Sequence, residues 1–288
     1  MNSKLNQIIE HLALEQLEHN LFRGPSRDIG SKRVYGGQVL GQALRAAQHT
    51  VEDRTAHSLH AYFLRLGDHN APIVYEVDRS RDGGSFSARR VVAIQKGRPI
   101  FTMAASFQSP EEGLEHQSDM PSAPAPPDSS EQIIYNKDKV TDLPEKLQRM
   151  IKVMAPFEFK RVEPIDLQEG HASTAPLRHI WVRMSEQLPD DDALHRAMLA
   201  YISDYALISV ALLPHNIKIG DGKLQIASLD HAMWFHRPFR MDEWLLYSIE
   251  STNASQSRGM SQGQFFTQEG VLVASTIQEG LIRVKDDR

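Results

Sequence analysis

Hydrophobic and polar positions form the same pattern twice along the chain: an apolar run at helical spacing, then stretches in which every second residue is apolar. The first half predicts a buried helix over residues 38–47 and strands over 59–64, 73–80, 86–95 and 100–108. The second half predicts a helix over 194–213, which ends at Pro214, and strands over 227–235, 244–251, 260–267 and 271–278. Outside these series the pattern predicts a surface helix over 4–18 and a strand over 181–184. One helix-and-meander unit therefore occurs twice.

The two strand series also begin and end on similar residues. Ser58-Leu59-His60 opens the first series and Ser228-Leu229-Asp230 the second, while Phe107-Gln108 and Ile277-Gln278 close them. The offset is 170 residues at both ends (228 − 58 and 278 − 108). Because each helix is too apolar for a surface position, we expect a curled antiparallel sheet around one central helix in each half. The predicted fold class is α+β, with the two units side by side.

A proline-rich stretch lies between the two halves. Residues 121–128 contain four prolines, a composition typical of a linker. We predict an N-terminal unit over residues 1–120, a linker over 121–130 and a C-terminal unit over 131–288.

Composition and charge narrow the classes of function. The 288 residues carry a net charge of −5 and no long basic run, which disfavours nucleic acid as a partner. The absence of cysteine excludes disulfides, thiolate metal sites and cysteine nucleophiles. We find no stretch of about 18 apolar residues and therefore predict no membrane span. The first residues lack the apolar core of a signal peptide and the last three are not a peroxisomal signal, so we expect a cytoplasmic protein.

The two halves differ in one carboxylate. Asp204 falls on the predicted second helix among apolar neighbours such as Ala200 and Ile208, whereas the first helix contains no acidic residue. A carboxylate in such surroundings is costly to bury unless it is hydrogen-bonded, and this environment is typical of a general base. The alternative is a structural carboxylate that tyrosine or serine hydroxyls satisfy. The asymmetry between the halves favours the catalytic interpretation.

Ser228 and Gln278 are ordinary strand-end residues when each is taken alone, and the similar Ser58 and Gln108 allow fold symmetry as the explanation. Together with Asp204 they have a chemical role available: the carboxylate accepts a proton from water, and the two polar side chains orient that water. Gly36 and Gly37 open the first helix, and backbone N–H groups there suit an oxyanion or a substrate contact. The alternative for the glycines is close packing of a helix on a sheet.

Two other patterns are weaker. Residues 259–263 match G-x-S-x-G, but a further strand follows them instead of the helix that a nucleophile elbow requires. His57 and His60, and also His231 and His236, are spaced so that a regular strand places each pair on opposite faces, and no H-E-x-x-H motif occurs. We therefore predict neither a serine nucleophile nor a metal site, and no nucleotide-binding glycine motif implies a cofactor.

Four longer motifs resemble the acyl-CoA thioesterase II (TesB-type) family. They are residues 34–44 (VYGGQVLGQAL), 59–65 (LHAYFLR), 230–239 (DHAMWFHRPF) and 272–280 (LVASTIQEG). The similarity runs in order from about residue 22 to 283. The resemblance implies a double-hotdog fold and a homo-oligomer, with a tetramer as one expected size.

The resemblance also implies a catalytic set: an aspartate on the second central helix, a hydroxyl residue and a glutamine, which correspond to Asp204, Ser228 and Gln278. The family's usual hydroxyl residue is threonine, so Ser228 is a departure. Serine supplies the same donor and acceptor but lacks the methyl group that restricts the side chain. We expect the chemistry to survive with slightly looser positioning.

The function that follows is hydrolysis of fatty acyl-CoA to free fatty acid and coenzyme A by direct attack of water, without cofactor or covalent intermediate. Two alternatives remain open at this point. A hotdog-type enoyl-CoA hydratase needs a histidine beside the aspartate, and Asp204 has none at helical spacing. A non-catalytic module that binds acyl-CoA needs no turnover at all.

Overall fold

Thirteen strands form one sheet within the part of the chain that the computed structural model describes, residues 4–28, 33–126, 148, 154, 156–163, 175–215 and 224–284. The helices are α1 (Lys4–Leu12), α2 (Gly36–Gln48) and α3 (Asp192–Ser203), and a 3₁₀ segment covers Ile208–His215. The strands of the first half are β1 (Glu15–Glu18), β2 (Leu21–Gly24), β3 (Thr55–Phe63), β4 (Ile73–Asp82), β5 (Phe86–Gln95) and β6 (Arg98–Gln108). Those of the second half are β7 (Phe157–Arg161), β8 (Leu177–Met184), β9 (Leu224–Ser228), β10 (Asp230–Phe235), β11 (Leu245–Ser255), β12 (Arg258–Thr267) and β13 (Leu272–Val284).

The strand order places the two halves side by side. It runs β1-β2-β4-β5-β6-β3 through the first half and β10-β13-β12-β11-β8-β7 through the second, with β9 paired to β13. β3 and β10 join the halves as antiparallel neighbours, with His60 opposite Ala232. This arrangement agrees with the repeated helix-and-meander unit that the hydrophobic pattern predicts.

The two central helices pack against each other in opposite directions. A Cβ atom on Gly37 would lie 2.1 Å from the carbonyl oxygen of Tyr201, and one on Gly41 would lie 2.9 Å from that of Ala197. Only glycine allows backbones to approach this closely. The consequence is that the beginning of α2 lies directly against the end of α3.

The second helix is shorter than the sequence predicts. The prediction of one helix over 194–213 is wrong, because α3 ends at Ser203 and Ala206 adopts a left-handed φ of 64°. Asp204 is therefore the residue that caps the C-terminus of α3. The sequence analysis placed Asp204 inside a longer helix, with Ile208 one turn further on. That prediction is wrong, because Asp204 follows the last residue of α3.

Other boundaries also differ. The helix predicted over 4–18 ends at Leu12 and β1 follows it, and the strand predicted over 227–235 is interrupted at Leu229. A bulge in β3 adds His57 between two paired residues, so both His57 and His60 contact the outer side of the sheet, through Ser106 and Trp234 respectively. The prediction that these two histidines face opposite ways is wrong.

The offset of 170 residues does not describe equivalent positions. Gln278 is completely buried and faces α3, whereas in β6 it is Phe107 that is buried, and Gln108 on the opposite face bonds only weakly to Glu111, at 3.5 Å. Ser58 likewise lies opposite Ser106 on the outer side. Because successive strand residues alternate between faces, the matched sequence pairs point to different sides of the sheet.

The described part of the predicted linker packs on the outer face of the second half. Pro124 accepts a hydrogen bond of 2.9 Å from the indole N–H of Trp181, and Met120 and Ala123 contact the same apolar cluster. Residues 127–130 lie outside the described residues, and the unit boundaries remain a prediction.

Within the described residues, one stretch, Asp192–His215, matches a membrane span by length and composition, although the sequence led us to expect none. It comprises α3 and the 3₁₀ segment, and 61% of the matching window is buried inside the protein. The core helix of a soluble protein gives the same match.

Candidate active site

Asp204 is the point at which the predicted site residues meet. Its Oδ2 accepts a hydrogen bond of 3.0 Å from the backbone N–H of Gly37. Its Oδ1 accepts bonds from the Ser228 hydroxyl at 3.2 Å and from Nε2 of Gln278 at 2.6 Å. Because every one of these partners donates, the arrangement suits an ionised carboxylate.

Three elements bring these groups together. Ser228 is the last residue of β9 and lies opposite Gly280 of β13, so it shares the inner face with Gln278 two residues earlier on that strand. A Cβ on Gly280 would meet the side chain of Ile208 at 2.6 Å, which shows how closely this face packs on the segment after α3. The sheet thus delivers a hydroxyl and an amide to the end of the helix.

The beginning of α2 completes the site from the first half. Tyr35, the N-cap residue of α2, makes no side-chain cap, and Asp204 supplies the missing acceptor to Gly37. The positive end of the helix dipole stabilises the negative charge there. A Cβ on Gly36 would lie 2.8 Å from Oδ2 of Asp204, so only glycine leaves the carboxylate room at this position.

In the structure, Gly36 and Gly37 both lie beside the Asp204 carboxylate. Gly37 directs its N–H at Asp204, so this donor supports the carboxylate in the structure as it stands. Gly36 borders the carboxylate without a side chain. The oxyanion or substrate contact expected at Gly36 and Gly37 remains a prediction.

Gln278 has a second polar atom in the site. Its Oε1 is buried and makes no hydrogen bond within the described residues. A buried acceptor of this kind is costly unless a donor reaches it. A water molecule bound beside the carboxylate would supply such a donor.

Three residues that sequence reasoning missed support the end of α3. The Tyr35 hydroxyl donates to the Tyr201 carbonyl at 3.0 Å, and the Tyr247 hydroxyl donates to the Ser203 carbonyl at 2.7 Å. Burial, with a further contribution from the charge of Asp204, raises the pKa of both hydroxyls above the ordinary tyrosine value, so both stay neutral donors.

His231 is the third missed residue. Its Nε2 lies 2.9 Å from the hydroxyl of Ser203, the neighbour of Asp204 in the chain. Burial lowers the pKa of His231 to about 4, although the charge of Asp204 partly opposes this shift. The imidazole is therefore neutral at neutral pH. No local sequence signal identifies it, because β10 and α3 are distant in sequence.

The first half contains a matching position without the carboxylate. Asp204 bonds to Gly37 across the helix pair, and Gln48 bonds to Ala193 across the same pair, with Nε2 to carbonyl oxygen at 3.1 Å. The same offset of 156 residues relates Gln48 to Asp204 (204 − 48) and Gly37 to Ala193 (193 − 37). Gln48 is thus the counterpart of Asp204, and an amide cannot act as a base.

The G-x-S-x-G match lies inside β12, as the sequence analysis expected, and not on a turn into a helix. Ser261 is fully buried, and its hydroxyl makes no hydrogen bond within the described residues.

We expect Ser261→Ala to keep kcat within about threefold, since a substitution that removes no bonded group is usually mild. The measurement is turnover of palmitoyl-CoA. Trapping of an acyl-phosphonate on Ser261 would instead establish a serine nucleophile.

Comparison with known proteins identifies the family. Residues 155–281 match the model of the acyl-CoA thioesterase family, and residues 22–108 match that of an acyl-CoA thioesterase N-terminal domain. Acyl-CoA thioesterase 2 of Haemophilus influenzae is 41% identical over 287 residues, which cover 99% of this chain and 100% of that protein. The chain belongs to the acyl-CoA thioesterase family.

Solved structures agree with this assignment. The acyl-CoA thioesterase II TesB2 of Mycobacterium marinum superposes with a TM-score of 0.78 at 41% identity, with 98% of each chain covered. A protein with a hot dog fold from Alicyclobacillus acidocaldarius gives a TM-score of 0.77 at 19% identity, covering 96% of this chain and 97% of that one, and supports the fold alone. The family, the double-hotdog fold and the class of thioester hydrolase, all expected from the sequence, are confirmed.

Proposed function

We propose that this thioesterase hydrolyses fatty acyl-CoA to free fatty acid and coenzyme A at the site centred on Asp204. The observation that carries the proposal is the convergence of three donors, from α2, β9 and β13, on one carboxylate. Membership of the acyl-CoA thioesterase family supplies the substrate class.

In the proposed mechanism, Asp204 removes a proton from a water molecule while Ser228 and Gln278 orient that water. The water oxygen forms a bond to the thioester carbonyl carbon, and the carbon–sulfur bond then breaks. Coenzyme A leaves as a thiolate, which takes up the proton from Asp204. Ser228 can rotate its hydroxyl between the carboxylate and the water, because a serine hydroxyl both donates and accepts.

The expected result is release of free thiol from palmitoyl-CoA, measured with a thiol-reactive dye, in proportion to enzyme concentration. Addition of water to an enoyl-CoA without thiol release would favour the hydratase. Saturable binding of acyl-CoA with neither product would favour the non-catalytic module. The contact of His231 with Ser203, instead of with the carboxylate, favours the thioesterase over the hydratase.

The expectations of a homo-oligomer, of a role in fatty acid metabolism and of a cytoplasmic location rest on the resemblance and the sequence. Light scattering coupled to size-exclusion chromatography measures the oligomer, and a mass equal to one chain of 32.5 kDa would contradict it. Cell fractionation tests the location, and recovery in the membrane fraction would contradict it.

A further inference from the structure

Ser203, the residue before Asp204, is held from two sides by the sheet of the second half. Its hydroxyl lies 2.9 Å from Nε2 of His231 in β10, and its carbonyl accepts a bond of 2.7 Å from Tyr247 in β11. All three of these residues are buried. Because Ser203 and Asp204 are adjacent in the chain, whatever fixes Ser203 also fixes the backbone that carries the carboxylate.

The direction of each hydrogen bond follows from the partners. The Ser203 hydroxyl lies 2.9 Å from the carbonyl oxygen of Ala200, which can only accept, so the hydroxyl proton points there. His231 therefore donates its Nε2–H to Ser203. Tyr247 donates to the Ser203 carbonyl, and its hydroxyl also lies 3.2 Å from the Thr276 hydroxyl. Both side chains from the sheet donate to Ser203.

These donors also counter an electrostatic problem at the end of α3. The last carbonyls of a helix have no partner within it and carry partial negative charge, which repels a carboxylate on the next residue. Tyr247 neutralises part of this charge at the Ser203 carbonyl, and Tyr35 does so at Tyr201. The helix end can therefore carry Asp204 without pushing it away.

The last glycine of the G-x-S-x-G match has a structural role beside Tyr247. A Cβ on Gly263, its final residue, would lie 2.4 Å from Cε2 of Tyr247 and 2.9 Å from the Thr276 hydroxyl. The Tyr247 ring also stacks on Phe265, with ring centroids 3.9 Å apart. Glycine at this position gives the Tyr247 ring the room it needs to reach Ser203.

We propose that His231 and Tyr247 are positioning residues that set the place of the Asp204 carboxylate through Ser203 without touching the substrate. The inference rests on the proposed function of Asp204. Without these donors, the end of α3 is free to shift relative to Gln278, whose Nε2 lies 2.6 Å from the carboxylate. A displacement of about 1 Å at a catalytic group can cost on the order of 100-fold in rate.

The first test is Tyr247→Phe, which removes one hydroxyl and keeps the ring. We expect kcat for palmitoyl-CoA to fall about 10- to 100-fold with KM within about threefold, because positioning is lost and substrate contacts are not. The matched control is Tyr75→Phe. Tyr75 is equally buried, and its hydroxyl donates at 2.6 Å to Gln42 in the first half. This control loses a buried hydroxyl of the same kind and should keep the parental kcat.

The second test uses His231 and stands even if Tyr247→Phe does not fold. His231→Gln keeps an N–H donor that can reach Ser203, whereas His231→Leu replaces the donor by an apolar side chain. We expect kcat of His231→Gln to be at least about tenfold higher than kcat of His231→Leu, in the range seen for a single positioned donor. Thermal unfolding of every variant records its stability separately from its turnover.

The outcomes separate this inference from the proposed function. Equal kcat in Tyr247→Phe and Tyr75→Phe, equal kcat in the two His231 variants, or a change in KM alone would overturn the positioning role. Asp204→Asn is measured in the same series. If Asp204→Asn keeps its activity, the proposed function is wrong. If Asp204→Asn loses activity while the Tyr247 and His231 variants keep theirs, only the positioning inference is wrong.

Discussion

Replacing Asp204 by asparagine is expected to lower kcat for palmitoyl-CoA about 10²- to 10⁴-fold, the usual contribution of a positioned general base. The amide has no basic oxygen comparable with a carboxylate. It also presents an NH2 group where Gly37, Ser228 and Gln278 already direct donors. The amide oxygen can still accept from Gly37, so we expect the variant to stay folded.

The matched control for this variant is Asp191→Asn at the other end of the same helix. Asp191 caps the N-terminus of α3 by accepting from the Leu194 N–H at 3.1 Å, and asparagine is an equally good cap. The control should hydrolyse the substrate within about threefold of the parental rate, as expected for a change away from the chemistry. A parental rate in Asp204→Asn would make Asp204 a structural residue.

Removing the two polar partners is expected to have the next largest effect. Ser228→Ala and Gln278→Ala should each lower kcat roughly 10- to 1000-fold, the range for loss of one positioning or oxyanion donor. Gln278→Ala should also be non-additive with Asp204→Asn, because residues that act on one water behave as a unit.

Ser58→Ala and Gln108→Ala are the controls that the repeated sequence provides. Both positions lie on the outer side of the sheet, away from the carboxylate, and should keep kcat within about threefold. The measurement is kcat and KM for the four single variants and the double variant. Equal losses in both halves would contradict the assignment of chemistry to the second half alone.

Alternation of apolar residues predicted most of the strands because each strand buries one face and exposes the other. Residues 86–95 match β5 at both ends for this reason. The end of α3 could not be predicted in the same way. Apolar residues continue to Leu213, whereas α3 ends at Ser203, next to an aspartate that accepts hydrogen bonds from two distant strands.

The site was predicted from an asymmetry and completed by contacts that sequence spacing does not show. Asp204 stands out because the counterpart helix has no acid, and the structure assigns Gln48 to that place. The match of Gln108 with Gln278 was wrong because a shift of one residue moves a strand position to the other face of the sheet, and in β6 the buried position belongs to Phe107. His231 and Tyr247 reach Ser203 from strands 28 and 44 residues further along the chain.

The central claim is direct attack of water activated by Asp204. It is tested most directly by a single turnover of palmitoyl-CoA with excess enzyme in H₂¹⁸O, quenched at intervals and analysed by mass spectrometry of both acid and protein. The proposed mechanism predicts one ¹⁸O atom in the palmitic acid and an unchanged protein mass at every time. A transient gain of the acyl mass by the protein, or unlabelled acid with ¹⁸O in the peptide that contains Asp204, would contradict it.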